Sequence, residues 1–356
     1  MYGERLYTRE ALPGNNWASP GCEVNMAQSG LLARLNCREY KNWMKAGHCL
    51  LMLQCPLQGY IQREMLAFHQ LLAARIRGPT PRRRCQCRAK GKEFQPGCPV
   101  CVQWKELILA HHNNRDGEIH WGNSNPSLWP TDYWEVAKVY MPRGQAQKRS
   151  PQNCDAAALL NLINTCDYFR IRNRLRVREI IKCRNELMHS SDMMVSSPWL
   201  EAFGQKMHDL TAEFTHVPGI VREGERMQEI LLSDWNVDKF EIDGIIYAQG
   251  PSDIFDLPPY AVEIRLIAQL FQELYLDVEE QGSLTEENEN QASKMKKFLS
   301  QNEDLKFAFQ VDLEWLESVW KNPVPLHGEG WTPTLLSAAV FVAISLALTA
   351  IFLHLK

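Results

Sequence analysis

Val177–Ser191, VREIIKCRNELMHSS, is the stretch on which the reading of the chain turns. Val177, Ile180, Ile181, Leu187 and Met188 recur at helical spacing, which predicts one amphipathic helix ending in a polar cluster. On a helical wheel Arg184 falls in the middle of the apolar arc. A guanidinium cannot sit unpaired in a core, so it must find a partner, line a cleft or face another subunit. Asn185 and His189 lie just round the helix from it. With Arg184 and Met188 they form one rim at the edge of the buried face.

Working outward, PQNCDAAALLNLINTCDYF before this stretch predicts a helix with Leu159, Leu160, Leu162 and Ile163 apolar, breaking near Asp167. RIRNRLRVREIIKCR then carries seven basic residues from Arg170 to Arg184 against Glu179 alone. A positive surface beside a polar cleft suits a phosphodiester backbone. The plain alternative is a solvated turn between two helices. After Ser190-Ser191-Asp192, a further helix starts with Ser196 or Ser197 as cap and Pro198 in its first turn. Trp199, Leu200, Phe203, Met207, Leu210 and Phe214 give its buried face, and Pro218-Gly219 end it.

The chain has 356 residues, enough for one to three domains, and a net charge of −3, so it is not a generic polyanion binder. Eleven cysteines, an odd count with no secretory signal ahead of them, argue against a disulfide framework. Residues 1–29 read as a disordered extension. Glu4 and Glu10 speak against a mitochondrial presequence, and a regular pattern starts only at Met26. From Gly30 a helix with Leu35, Tyr40, Trp43 and Met44 apolar is expected to close at Pro56. A second runs from about Gln58 to Arg77, ended by Gly78-Pro79 and Pro81.

Arg75–Lys92 holds eight basic side chains and no acid, and reads as a solvated basic loop. Around it lie Cys85-x-Cys87, Cys98-Pro99-Val100-Cys101 and His111-His112. The second cysteine pair has the spacing that lets two thiolates chelate one tetrahedral ion from a tight turn. A structural zinc would take Cys98, Cys101, one of Cys85 or Cys87, and one of His111 or His112. The alternative is four free thiols in a reducing compartment. Trp121, Trp129, Tyr133, Trp134 and Tyr140 follow among turn residues and are expected to pin a loop onto the helical core. A base-stacking platform is the sharper alternative.

Beyond Pro218, Ile220–Trp235 reads as helical and Asn236–Pro259 as a linker. Tyr260–Gln281 is an amphipathic helix, SLTEENENQ an acidic turn, and Gln291–Trp320 one further helix. The acidic faces of this pair are expected to be solvated or to cover the basic rim. Thr334–Leu353 has no charged residue and is long enough to cross a bilayer. It predicts a C-terminal anchor with the rest of the chain cytosolic, on the endoplasmic reticulum first and the mitochondrial outer membrane second.

Arg184-Asn185-Glu186-Leu187-Met188-His189 resembles the Arg-(polar)-x3-His motif of HEPN domains. The three helices around it follow the order of the HEPN branch named for the DAZ-interacting zinc-finger protein. LARLNCREYKNWMKAGHCLL, HWGNSNPSLWPTDYWEVAKVYMPRG and IIKCRNELMHSS more closely resemble a vertebrate family encoded by X-chromosome open reading frame 38 in human. The resemblance spans roughly Met26–Trp320. It implies an all-α fold: a helical and Cys-rich region over 30–145, HEPN-like core helices over 150–218 and amphipathic helices over 219–320, with the expected transmembrane helix at 334–353. It also implies RNA as partner, frequent dimerisation and RNA cleavage that needs no cofactor. Arg184 and His189 would then be catalytic, with Asn185 beside them. Arg170, Arg172, Arg174, Arg176, Arg178 and Lys182 would carry the RNA. An arginine can hold the phosphate and a histidine can move the 2′-hydroxyl proton. Five residues turn about 140° on a helix, so a site completed across a homodimer is expected. The competing expectation is a non-catalytic helical adaptor on a cytosolic membrane face.

Overall fold

Helix α1, Arg38–Ala73, runs through the middle of the protein, and every residue from Tyr40 to Gln54 is buried. A helix apolar on one stripe rests on a core; one buried all round is the core. The computed structural model describes residues 30–77, 85–114, 118–190, 193–235, 257–281 and 283–321. After α1 come a hairpin of β1, Arg88–Lys90, and β2, Glu93–Gln95, then α2, Pro99–Ala110, and α3, Tyr133–Ala137. Next are α4, Ala156–Thr165, α5, Arg174–Met188, α6, Ser197–Glu213, and α7, Ile220–Leu232. The chain closes with α8, Pro259–Gln281, α9, Glu286–Ser300, α10, Glu303–Ala308, and α11, Gln310–Lys321. Helices α2 to α8 all pack on α1.

Two predicted boundaries move. Pro56 lies inside α1 instead of ending it. A proline removes one helical hydrogen bond, at a cost of about 3 kcal/mol, but does not forbid continuation. Leu53, Leu57, Tyr60 and Ile61, buried on either side of it, hold the two halves in line. The predicted helix Gln291–Trp320 is three helices, and the acidic stretch before it is the start of α9. Thr285 Oγ1 accepts the Asn288 N–H at 3.3 Å as its cap. Carboxylates in a first turn meet the positive end of the helix dipole.

Three acidic residues of α8 pair with arginines, while Glu279 is exposed. Glu263, fully buried, takes Arg34 Nε at 2.7 Å and the Tyr40 hydroxyl at 2.6 Å. Arg34 also reaches Asp304 at 2.7 Å and Asn302 at 2.6 Å. Glu273 pairs with Arg184, and Asp277 with Arg143. One helix therefore offers three carboxylates to three arginines from separate parts of the chain. Its apolar face, with Val262, Leu266, Ile267, Leu270 and Leu274, is buried as well. The close approach to α1 depends on Gly47, where a Cβ would collide with the Leu266 side chain.

The expected membrane anchor is corrected. Among the described residues no helix is long and apolar enough to cross a membrane. The segment 334–353, on which the anchor rested, lies outside the described residues, as do 1–29 and most of the expected linker. The fold of the described residues is a helical assembly with one small hairpin, and no described helix supports the single-pass placement or its two candidate membranes.

Removing one partner of a buried ion pair costs about 3–5 kcal/mol, because the other charge is left without compensation. Glu263→Ala is expected to destabilise by that amount in thermal unfolding followed by circular dichroism. Gly47→Ala, which forces α8 off α1, is expected to lower Tm as well. An unchanged melt for Glu263→Ala would refute the role given to this pair.

Candidate functional site

The Cys-rich region is built by the hairpin. Cys85 and Cys87 lie on the chain entering β1, where successive side chains alternate, so one intervening residue puts both thiols on one side. The turn through β1 and β2 brings the chain back to Cys98, which caps α2. Pro99 opens the helix, and the Cys98 sulfur accepts the Cys101 N–H. The Cys85 sulfur lies 3.3 Å from that of Cys101 and 3.8 Å from that of Cys98, and Cys87 lies 3.8 Å from Cys98. All four sulfurs fall within 4.8 Å of one another, a grouping that can hold a metal ion. Backbone N–H groups point at them, Gly97 at Cys87 at 2.9 Å and Cys87 at Cys85 at 3.4 Å. Burial pushes the Cys98 thiol up, but hydrogen bonds from the Cys101 N–H and the neighbouring thiols outweigh it and hold Cys98 below its ordinary value. Burial and the other thiols push Cys101 well up.

The histidines stand elsewhere. His111 Nδ1 meets Asp167 Oδ1 at 2.7 Å. His112 is buried, accepts the Asn114 N–H at 3.2 Å and stacks 5.3 Å from Tyr140. Both join the end of α2 to the α4–α5 turn, and the expected mixed Cys/His set becomes four cysteines. The aromatic block does pin its loop to the core, and in doing so seats the hairpin. Phe94 stacks 5.6 Å from Trp129 and lies 5.4 Å from Trp121, and Lys105 Nζ sits 4.9 Å from the Phe94 ring centre. Gly122 donates to the Gly91 carbonyl at 2.8 Å, an approach so close that a Cβ on Gly122 would lie 2.6 Å from Gly91 N.

Arg184 does not line an open cleft. Its guanidinium, with the side chain 12% exposed, is held by Asp155 Oδ2 at 3.1 Å and by Glu273. Asp155 meanwhile caps α4 by accepting the Ala158 N–H at 2.9 Å. His189 ends α5, exposed, with Nδ1 3.2 Å from Gln291 Oε1. Gln291 Nε2 donates to the Met188 carbonyl at 2.8 Å. Asn185 is exposed, and among the described residues its side chain makes no hydrogen bond. The three motif residues thus separate into an internal arginine, an external amide and a helix-capping histidine. Asp155, Glu273 and Gln291 are the partners that the motif alone did not reveal.

The basic residues divide as well. Arg174 donates to the carbonyls of Ile163, Asn164, Cys166 and Phe169, closing the open end of α4. Arg176 reaches Asp209 at 2.5 Å, and Lys182 is 3.7 Å from Glu186. Arg170, Arg172 and Arg178 are exposed and have no ion pair among the described residues.

A family model described as a domain of unknown function (DUF4559) matches residues 34–330. The chain belongs to this family. A mouse protein titled "Uncharacterized protein CXorf38 homolog" is 48% identical over 301 residues, covering 83% of this chain and 93% of the mouse protein. No solved structure matches. The matched range opens on Arg34 and takes in the cysteine centre, Arg184 and all of α8 to α11. The family unit is therefore the whole helical assembly and not the α4–α6 helices alone.

Arg184→Ala leaves Asp155 and Glu273 facing each other without a cation, and is expected to cost about 2–3 kcal/mol. His189→Ala removes one exposed hydrogen bond and is expected to stay within about 0.5 kcal/mol of the parent. Denaturant unfolding of the two variants separates these outcomes. Equal midpoints would refute the structural role of Arg184.

Proposed function

We propose that this protein is a non-catalytic helical scaffold that binds RNA along the edge formed by Arg170, Arg172 and Arg178, and that its four cysteines hold one structural zinc ion. The observation that carries the reading is the fate of Arg184. Two carboxylates more than neutralise the guanidinium, which disfavours a phosphate beside it, and His189 stands at the end of α5 with Nδ1 on Gln291. What supports binding is the contrast with the neighbouring arginines, which keep their charge at the surface. Arg174 and Arg176, tied down on either side, hold that edge in place. The HEPN likeness of α4 to α6 is kept in this reading as a likeness of helices and not of chemistry. A homodimeric active site has no part in it.

The sulfur geometry supports zinc. Four thiolates about 2.3 Å from one tetrahedral ion stand about 3.8 Å apart. Two of the contacts, Cys85 to Cys98 and Cys87 to Cys98, have that separation at 3.8 Å. N–H groups directed at ligand sulfurs suit a thiolate site. A closed set of four ligands leaves no position for substrate, so the ion would fasten the hairpin to α2 and take no part in chemistry.

Fluorescence anisotropy with a labelled single-stranded RNA tests the first part. The triple variant Arg170→Ala/Arg172→Ala/Arg178→Ala is expected to bind at least tenfold more weakly at low salt. Three phosphate contacts give a log–log salt slope of about −2. Unchanged affinity of that variant would sink the RNA reading, and RNA cleavage lost in His189→Ala would sink the non-catalytic one. Elemental analysis tests the second part: one zinc per chain is expected, falling in Cys98→Ser, with a lower Tm after chelation. Protein purified without added chelator and free of zinc would overturn it.

A further inference from the structure

A groove of about 230 Å³ opens between the Pro56 turn of α1 and the start of α7. Arg63 lines it from α1 and Arg222 from α7, both exposed at the surface. Its floor is bare backbone. A Cβ on Gly59 would meet only the end of Arg63, at 3.8 Å, and one on Gly219 would meet nothing within 4 Å. Glu223, only 2% exposed, accepts from Arg222 Nε at 3.2 Å and Nη2 at 3.1 Å, and lies 3.7 Å from Arg226. The buried carboxylate thus holds Arg222 in place through one edge of its guanidinium, whose five N–H groups leave others for a ligand. Two guanidiniums, Arg63 and Arg222, and one carboxylate, Glu223, line the groove, so its lining carries a net positive charge.

Ring contacts of Tyr60, the residue after Gly59, lead from the groove toward the arginine edge. Tyr60, one turn before Arg63, lies 5.8 Å from Phe169 and 5.4 Å from His216. Phe169 directly precedes Arg170. Burial, then Glu64 and Tyr168, push the Tyr60 hydroxyl up to about 12 while Arg63 draws it down. Glu64 is the one acid among them.

We infer that this groove is a phosphate-binding subsite in which Arg63 and Arg222 clamp one phosphate of the RNA strand whose neighbouring phosphates run to Arg170. The inference rests on the RNA reading above. A shallow pocket with a glycine floor admits a tetrahedral oxyanion close to the backbone, and paired arginines supply the planar donor edges that phosphate oxygens accept. No base is read there, so the subsite contributes affinity and register without sequence preference.

The full-length chain is tested with a labelled single-stranded oligouridylate and, separately, with inorganic phosphate. Gly59→Leu fills the groove while keeping every charge, and Arg63→Ala empties one wall should the first variant fold poorly. Each is expected to weaken RNA binding five- to tenfold. Each should also abolish a phosphate-dependent rise in Tm measured against chloride at equal ionic strength. RNA affinity unchanged in both variants, while the Arg170/Arg172/Arg178 variant loses it, would overturn the subsite and leave the RNA reading standing. A lost phosphate response with unchanged RNA affinity would overturn the RNA assignment and leave free phosphate as the ligand. A wild-type protein that shows the phosphate response but binds no RNA would overturn the function proposed above and retain the groove as an anion site.

Discussion

Arginine–carboxylate pairing through α8 is the constraint on which the rest of this structure depends. Glu263, Glu273 and Asp277 engage Arg34, Arg184 and Arg143. Each arginine comes from a different part of the chain, so α8 fixes the N-terminal turn, the aromatic loop and α5 relative to one another. Such pairs contribute little net stability against apolar replacements, because desolvation offsets most of the attraction. What they impose is register. A helix sliding along α1 by one turn would leave three charges buried and unmatched, a penalty that apolar contacts alone would not impose. Gly47 reinforces this by admitting Leu266 at one position along α1.

The same constraint explains how far the sequence could be read. Local signals were legible: Ser196, one of the two expected caps, accepts the Trp199 N–H where α6 begins. The oddity of Arg184 was legible too, since an arginine within an apolar arc demands a partner. Its partners were not, because Glu273 and Gln291 come from helices about a hundred residues later. The acidic composition of the C-terminal helices suggested solvation only because burial of an acid shows once its arginine is known. Pro56 misled for a related reason. A proline reports a local cost, and the buried side chains around it decide whether the helix bears that cost.

The cysteine centre was legible in part: one of Cys85 or Cys87 was expected beside a histidine, and the structure brings all four sulfurs together instead. A Cys-x-Cys pair offers poor chelation from a helix or a turn. On extended backbone its two thiols share a side, and a hairpin of three-residue strands returns the chain to the second pair. Two histidines close in sequence were then unnecessary. His111 and His112 instead face Asp167 and Tyr140, where they join the end of α2 to the α4–α5 turn. The aromatic block supplies what a small hairpin lacks, an apolar surface against which to bury Phe94.

These features bear on function together. Acid–base cleavage of RNA needs a histidine and an arginine converging on one phosphate with their donors unspent. Here the pairing that fixes α8 neutralises the arginine, and the exposed histidine meets Gln291 through Nδ1. A site cannot serve as the ionic anchor of a core and as a transition-state clamp at once, because releasing Arg184 to a substrate would strand Asp155 and Glu273. Surface arginines carry no such obligation. In the function proposed above an anionic partner meets the arginines that make no ion pair among the described residues, Arg170 and Arg172 on the α4–α5 turn and Arg178 in α5, rather than Arg184.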